Sequence, residues 1–181
     1  MIQLTAREGE TARRFGRISE WFVTEHTQRV VSARVGAIAE RAVDLLHALS
    51  LHLDPAVDLV IESHRDGRRW SGELLALPDV REVVGRLRLL LATYGGVEVT
   101  MLTADDQLTL TPELALVIYA RSDRWLFILE GLGLHEREST PAAVWALNRR
   151  ALGPIAELST ALDGSAERLG LRCEPLVDEA A

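Results

Sequence analysis

The chain has no lysine: all 20 of its basic residues are arginine. That absence removes a P-loop lysine, a Schiff-base lysine and a kinase-type lysine from consideration. Cysteine is almost absent too. Cys173 stands alone, so no internal disulfide forms and no CxxC or Cys/His set exists to hold zinc. The longest apolar runs, such as Leu114–Ala120, fall far short of the ~20 residues that a membrane-spanning helix needs. Met1–Glu10 is polar and charged, unlike a secretory signal, and the expected setting is cytoplasmic. GxSxG, HExxH and GxGxxG are also missing. Gly131-Leu132-Gly133 lacks a third glycine and an immediate helix, so it is no nucleotide loop.

What is present fits one domain. A globular chain of 181 residues buries roughly 70% of its unfolded surface and needs no staple. The expected division is a single domain over 1–181, with its core at about 29–163 and flexible tails at 1–9 and 173–181. The net charge of −7 argues against nucleic acid, whose phosphates require a basic face. Other proteins, another copy of this chain among them, are the expected partners. No nucleic acid, membrane, metal or cofactor is expected.

Along the chain, Phe15, Ile18 and Phe22 recur at helical spacing and predict a helix over about Glu10–Glu25. Val31, Val35, Ile38, Ala42, Leu45, Leu49 and Leu53 predict a second over about Arg29–Leu53, ended by Asp54-Pro55. From Val57 the period drops to two. Val57–Ser63 and Arg69–Leu75 read as a hairpin, with Asp66-Gly67 supplying the tight turn. Pro78-Asp79 opens another helix, Asp79 and Glu82 resemble a capping box, and Gly95-Gly96 stops it. Three strands are expected next: Val97–Thr103, Leu108–Ala120 with Pro112 interrupting it, and Trp125–Leu132. The last two read as apolar on both faces, hence covered on both. Thr140 and Pro141 signal a final helix whose apolar face runs from Val144 to Leu162, kinked or broken at Gly153-Pro154.

Four groups of side chains invite a functional reading. His47 and His52 are five apart, which points them to different helix faces, and an Asp44–His47 surface pair is the plainer account. Glu62, His64 and Asp66 resemble an acid/base set, but a hairpin tip is too exposed to shift a pKa far. His135, Glu136 and Glu138 read as a polar exit loop. Arg65, Arg68 and Arg69, with Trp70 beside them, form the densest positive spot. They are the candidate partner-binding residues, since arginine forks grip carboxylates bidentately. The alternative for them is a solvated turn.

Together these segments describe an α+β fold in the order α-β-β-α-β-β-β-α, a five-stranded antiparallel sheet with helices on both faces and an extra N-terminal helix. From about Val30 to Leu162 the layout resembles the roadblock/LC7 family. The parts that carry the resemblance are Val57–Gly67, similar to that family's first strand and turn, and the Leu114–Leu132 hairpin. The resemblance implies a non-catalytic homodimeric platform for a Ras-like GTPase or a scaffold protein, with no catalytic residue to carry over. Two other classes stay open. A GAF- or PAS-like sensor requires a small-ligand pocket lined by Tyr94, Met101 and Tyr119. An acidic binder that neutralises a basic toxin is suggested by the charge alone.

Overall fold

Alternation at period two builds the sheet. In Ala56–Ser63 (β3), Val57, Leu59, Ile61 and Ser63 are buried while Asp58, Val60 and Glu62 are half-buried. One face of the strand therefore meets a core and the other does not. The computed structural model describes residues 20–27, 30–140 and 152–176. Its other strands are β1 (Trp21–His26), β2 (Val31–Gly36), β4 (Arg68–Ala76), β5 (Val97–Leu102), β6 (Asp106–Leu110), β7 (Leu116–Ala120), β8 (His135–Glu136) and β9 (Arg172–Pro175). The helices are α1 (Ala39–Leu49, extended by a 3-10 turn over Ser50–His52), α2 (Leu77–Tyr94), α3 (Arg124–Gly131) and α4 (Ala156–Leu169).

Among the described residues the strands join in one mixed sheet of nine, in the order β8-β1-β2-β7-β6-β5-β3-β4-β9. Every pairing is antiparallel except β1 with β8. One row of buried side chains crosses it: Trp70, Ile61, Val99, Leu110, Leu116, Val35 and Phe22 stand side by side on successive strands. On this face α1 packs against β6, β7 and α2, α2 lies against β3 and β4, and α4 lies against α2 and β4. Leu45, Leu46, Val84, Leu87, Leu129 and Leu162 close the core from the helix side. Each fully buried side chain of this kind stabilises by about 1.5–3 kcal/mol relative to exposure. No described helix is long and apolar enough to cross a membrane.

The α+β class holds, but the sheet has nine strands where five were expected, and the described helices share one face. Three segments account for most of the difference. The region expected to hold two long helices contains the β1–β2 hairpin, and helix begins only at Ala39. Val31 and Val35 fit a four-residue spacing, yet Val31, Ala33 and Val35 equally fit alternation. The aromatic and β-branched run Trp21-Phe22-Val23-Thr24 favours a strand. The part of the first expected helix before residue 20 lies outside the described residues.

Trp125–Leu132 was expected to be a strand and is helix α3 instead. A short apolar run does not distinguish a buried strand from a helix by period alone. Here only Trp125 and Leu129, four apart, are buried, and Phe127 is 67% exposed. The single strand expected over Leu108–Ala120 is two, β6 and β7, with Pro112 in the turn between them. That turn is closed by Thr111 N–H donating to Ala115 O at 2.8 Å.

At the chain's later end, residues 173–175 of the expected tail join Arg172 in β9 on the edge of β4, and His135-Glu136 forms β8 rather than a loop. Residues 177–181 and 1–19 lie outside the described set, as does the expected helix start at Pro141. The described helix in that region starts at Ala156, after Gly153-Pro154, and runs on to Leu169.

Candidate functional site

The arginine-rich tip sits on the β3–β4 hairpin, where Gly67 at φ 61° makes the turn. The fold uses most of this cluster internally. Arg65 Nε donates to Gly95 O at 2.9 Å and Nη1 to Gly153 O at 3.0 Å, while Nη2 bonds Tyr94 O. Its guanidinium therefore covers carbonyls at the C-terminus of α2, the negative end of that helix dipole. Burial lowers its pKa from the ordinary arginine value.

Arg68 lies 4.8 Å over the Trp70 ring and bonds Asp163 Oδ1 at 2.7 Å and Asp66 Oδ2 at 3.4 Å. Burial alone would lower its pKa, but Asp163 and Asp66 raise it above the ordinary value. Trp70 is 2% exposed and belongs to the core. Arg69 is exposed and stands in a 3.5 Å pair with Glu62.

The acid/base set at the same tip does not assemble. Glu62 pairs with Arg69, Asp66 accepts from Ser159 Oγ at 2.9 Å, and no hydrogen bond joins either to His64. The Asp66 side chain is 7% exposed, and its Oδ1 has no hydrogen-bond partner among the described residues. Near His47, Asp44 pairs with Arg88 at 2.6 Å instead of with the imidazole. Burial first, then Arg81 and Arg88, lowers the His47 pKa. Among the described residues no three His, Cys, Asp or Glu side chains are placed to hold a metal ion. Tyr94, Met101 and Tyr119 line no common pocket. Met101 is in the core, Tyr119 is on the opposite face of the sheet, and Tyr94 donates to Glu157 at 3.2 Å.

A cleft of about 230 Å³ opens at the start of α3, lined by Asp54, Asp105, Asp106, Arg121, Ser122 and Arg124. Its polar groups are largely committed. Trp125 Nε1 donates to Asp106 Oδ1 at 2.8 Å, Arg124 binds the other oxygen, and Arg121 pairs with Asp105 at 3.2 Å. Asp106 is a buried acceptor that pins α3 to β6.

The largest surface left without a described helix is the other face of the sheet. Val60, Thr100, Thr109, Val117, Arg34 and Val23 form one row across it, from β3 to β1. Asp58, Leu102, Gln107, Tyr119, Ser32 and Glu25 form the next. Thr100 Oγ1 and Thr109 Oγ1 bond each other at 3.0 Å, tying the middle of the face. Tyr119 is 44% exposed, and Arg34 is exposed with no ion pair among the described residues. Positional logic in the sequence marked the hairpin tip and missed this face. Its signal was confined to one position on each of four strands, Val60, Thr100, Thr109 and Val117, which are hydroxylated or β-branched, while Asp58, Glu62, Arg34 and Glu25 flank them. The chain matches no family model, and no curated protein or solved structure resembles it significantly.

Proposed function

We propose that this chain is a non-catalytic interaction module that works as a homodimer, with the sheet face that no described helix covers as its contact surface. The observation that carries the reading is the Val60–Thr100–Thr109–Val117 row, apolar or hydroxylated across four adjacent strands and packed under no described helix, half-buried at Val60 and Val117 and only 6% exposed at each threonine. Five spacings of ~4.8 Å across the six strands, with two side-chain rows ~7 Å apart, give a face of roughly 25 by 15 Å. That is about half of the ~800 Å² that each partner contributes to an interface of standard size. A Ras-like GTPase or a scaffold protein as the further partner belongs to the same reading.

Light scattering after size exclusion tests it. The wild-type chain should elute as a dimer at micromolar concentration. Tyr119→Arg should be monomeric with an unchanged melting temperature, because its side chain stands outside the core. A wild-type chain that stays monomeric to tens of micromolar would remove the reading.

A further inference from the structure

We infer that the copy on this face is related by a two-fold axis parallel to β6, so that Arg34 of each chain meets the Asp58–Glu62 stretch of the other. The inference rests on the dimer reading and specifies its geometry. In the order β2-β7-β6-β5-β3, β6 is the middle strand. A two-fold parallel to it exchanges β2 with β3 and β7 with β5 while leaving each row at its own level.

Arg34 then stands opposite Val60, with Asp58 and Glu62 one step along β3 to either side. Val117 meets Thr100 and Tyr119 meets Leu102, while Thr109, 6% exposed and bonded to Thr100, lies on the axis. Two aligned sheets cross at about 30°, which tilts the axis about 15° from β6 and at two strands from it shifts Arg34 by roughly 5 Å along β3. Either direction of shift brings it nearer one of the two carboxylates.

The charges discriminate between axes. Arg34, without an ion pair among the described residues, is on the β2 side, whereas Asp58 and Glu62, with Arg69 beside Glu62, are on the β3 side. A two-fold running across the strands would lay β2 on β2 and β3 on β3, opposing like charges. Arg34 has no ion pair of its own among the described residues. Among the described residues Glu62 has its 3.5 Å contact with Arg69, and Asp58 spends one oxygen on Leu74 N–H at 2.8 Å. All three retain capacity for a partner across the interface.

The test is a charge exchange between full-length chains, read by sedimentation equilibrium at several salt concentrations. Arg34→Glu and Glu62→Arg should each weaken self-association by about tenfold or more, since each opposes like charges at two symmetric contacts. A one-to-one mixture of the two variants should recover association close to that of wild type, because the heterodimer restores opposite charges at both contacts. Recovery in the mixture also shows that both variants fold. Arg34→Gln should give an intermediate loss. A wild-type dimer indifferent to Arg34→Glu and Arg34→Gln overturns this geometry and leaves the dimer reading standing. So does a mixture no stronger than its components. A monomeric wild type overturns both.

Discussion

The Trp21 indole lies directly on Gly36, its cross-strand partner in the β1–β2 hairpin. A Cβ at position 36 would fall 2.1 Å from Trp21 Cζ2 and 2.2 Å from Cε2. Trp21 is 6% exposed, yet it stands apart from the main buried cluster. Glycine is needed here for space. Gly36→Ala should therefore destabilise, although alanine suits a strand better than glycine does. Overpacking of this kind costs about 1–3 kcal/mol. Urea denaturation of the variant should show a lower midpoint, and an unchanged or higher midpoint would mean that the indole is free to move.

Arg65 should matter more to stability than its place at a hairpin tip implies. Arg65→Ala leaves the carbonyls of Tyr94, Gly95 and Gly153 without their donor. Losing donors to partly buried acceptors costs about 1–3 kcal/mol. In a chain of this size that lowers the melting temperature by roughly 2–4 °C per kcal/mol. Arg65→Lys should recover only part of the loss, because an ammonium group cannot reproduce the guanidinium fork. A melting curve that overlays wild type would contradict the capping role.

Ile118 and Phe127 should respond in opposite ways to the same substitution. Ile118 is 1% exposed in the middle of the sheet, whereas Phe127 projects from α3 into solvent. Ile118→Asp buries an unpaired carboxylate, at a cost of several kcal/mol against a total stability of about 5–15, and should not fold. Phe127→Asp should fold and melt cooperatively within about 0.5 kcal/mol of wild type. Insoluble Phe127→Asp would indicate that α3 packs differently.

His47 predicts a pH dependence. Its folded pKa lies below the ordinary value of 6.5 through burial and the nearby Arg81 and Arg88. Above that value the ring is neutral whether the chain is folded or not, and it adds no slope. As pH falls through it, the unfolded chain takes up the proton first, so stability declines until the folded imidazole titrates as well. The urea midpoint should drop less between pH 7.5 and 5.5 in His47→Gln than in wild type. Equal drops would assign the slope to other groups.

How much could be read in advance differs along the chain for physical reasons. The β3–β4 hairpin and the body of α2 were legible because local signals agreed: strict alternation, Asp66-Gly67 at the turn, Pro78 at the start and Gly95-Gly96 at the stop. Even there, α2 begins at Leu77 without a side-chain cap. Glu82 pairs with Arg86 and Arg168 instead of closing a capping box. Residues 21–36 and 124–131 were misread because their apolar spacing fits two periods at once, and tertiary packing decided between them. The arginine cluster was visible as a cluster. Its use was not, since the carbonyls that Arg65 holds come from segments 29 to 88 residues away. The face without a described helix depends on which side of each strand the described helices choose, which the pattern within one strand does not specify.

Both borders of the sheet are blunt. β8 offers only two residues beyond β1, and β9 offers four beyond β4, the last of them Pro175. Short strands, and a proline that lacks an N–H, make poor templates for another chain to extend. Growth by adding strand to strand, the route to fibres, is thus discouraged at either end. Any association of this molecule is steered toward assemblies of fixed size, whose number of subunits should not climb with concentration.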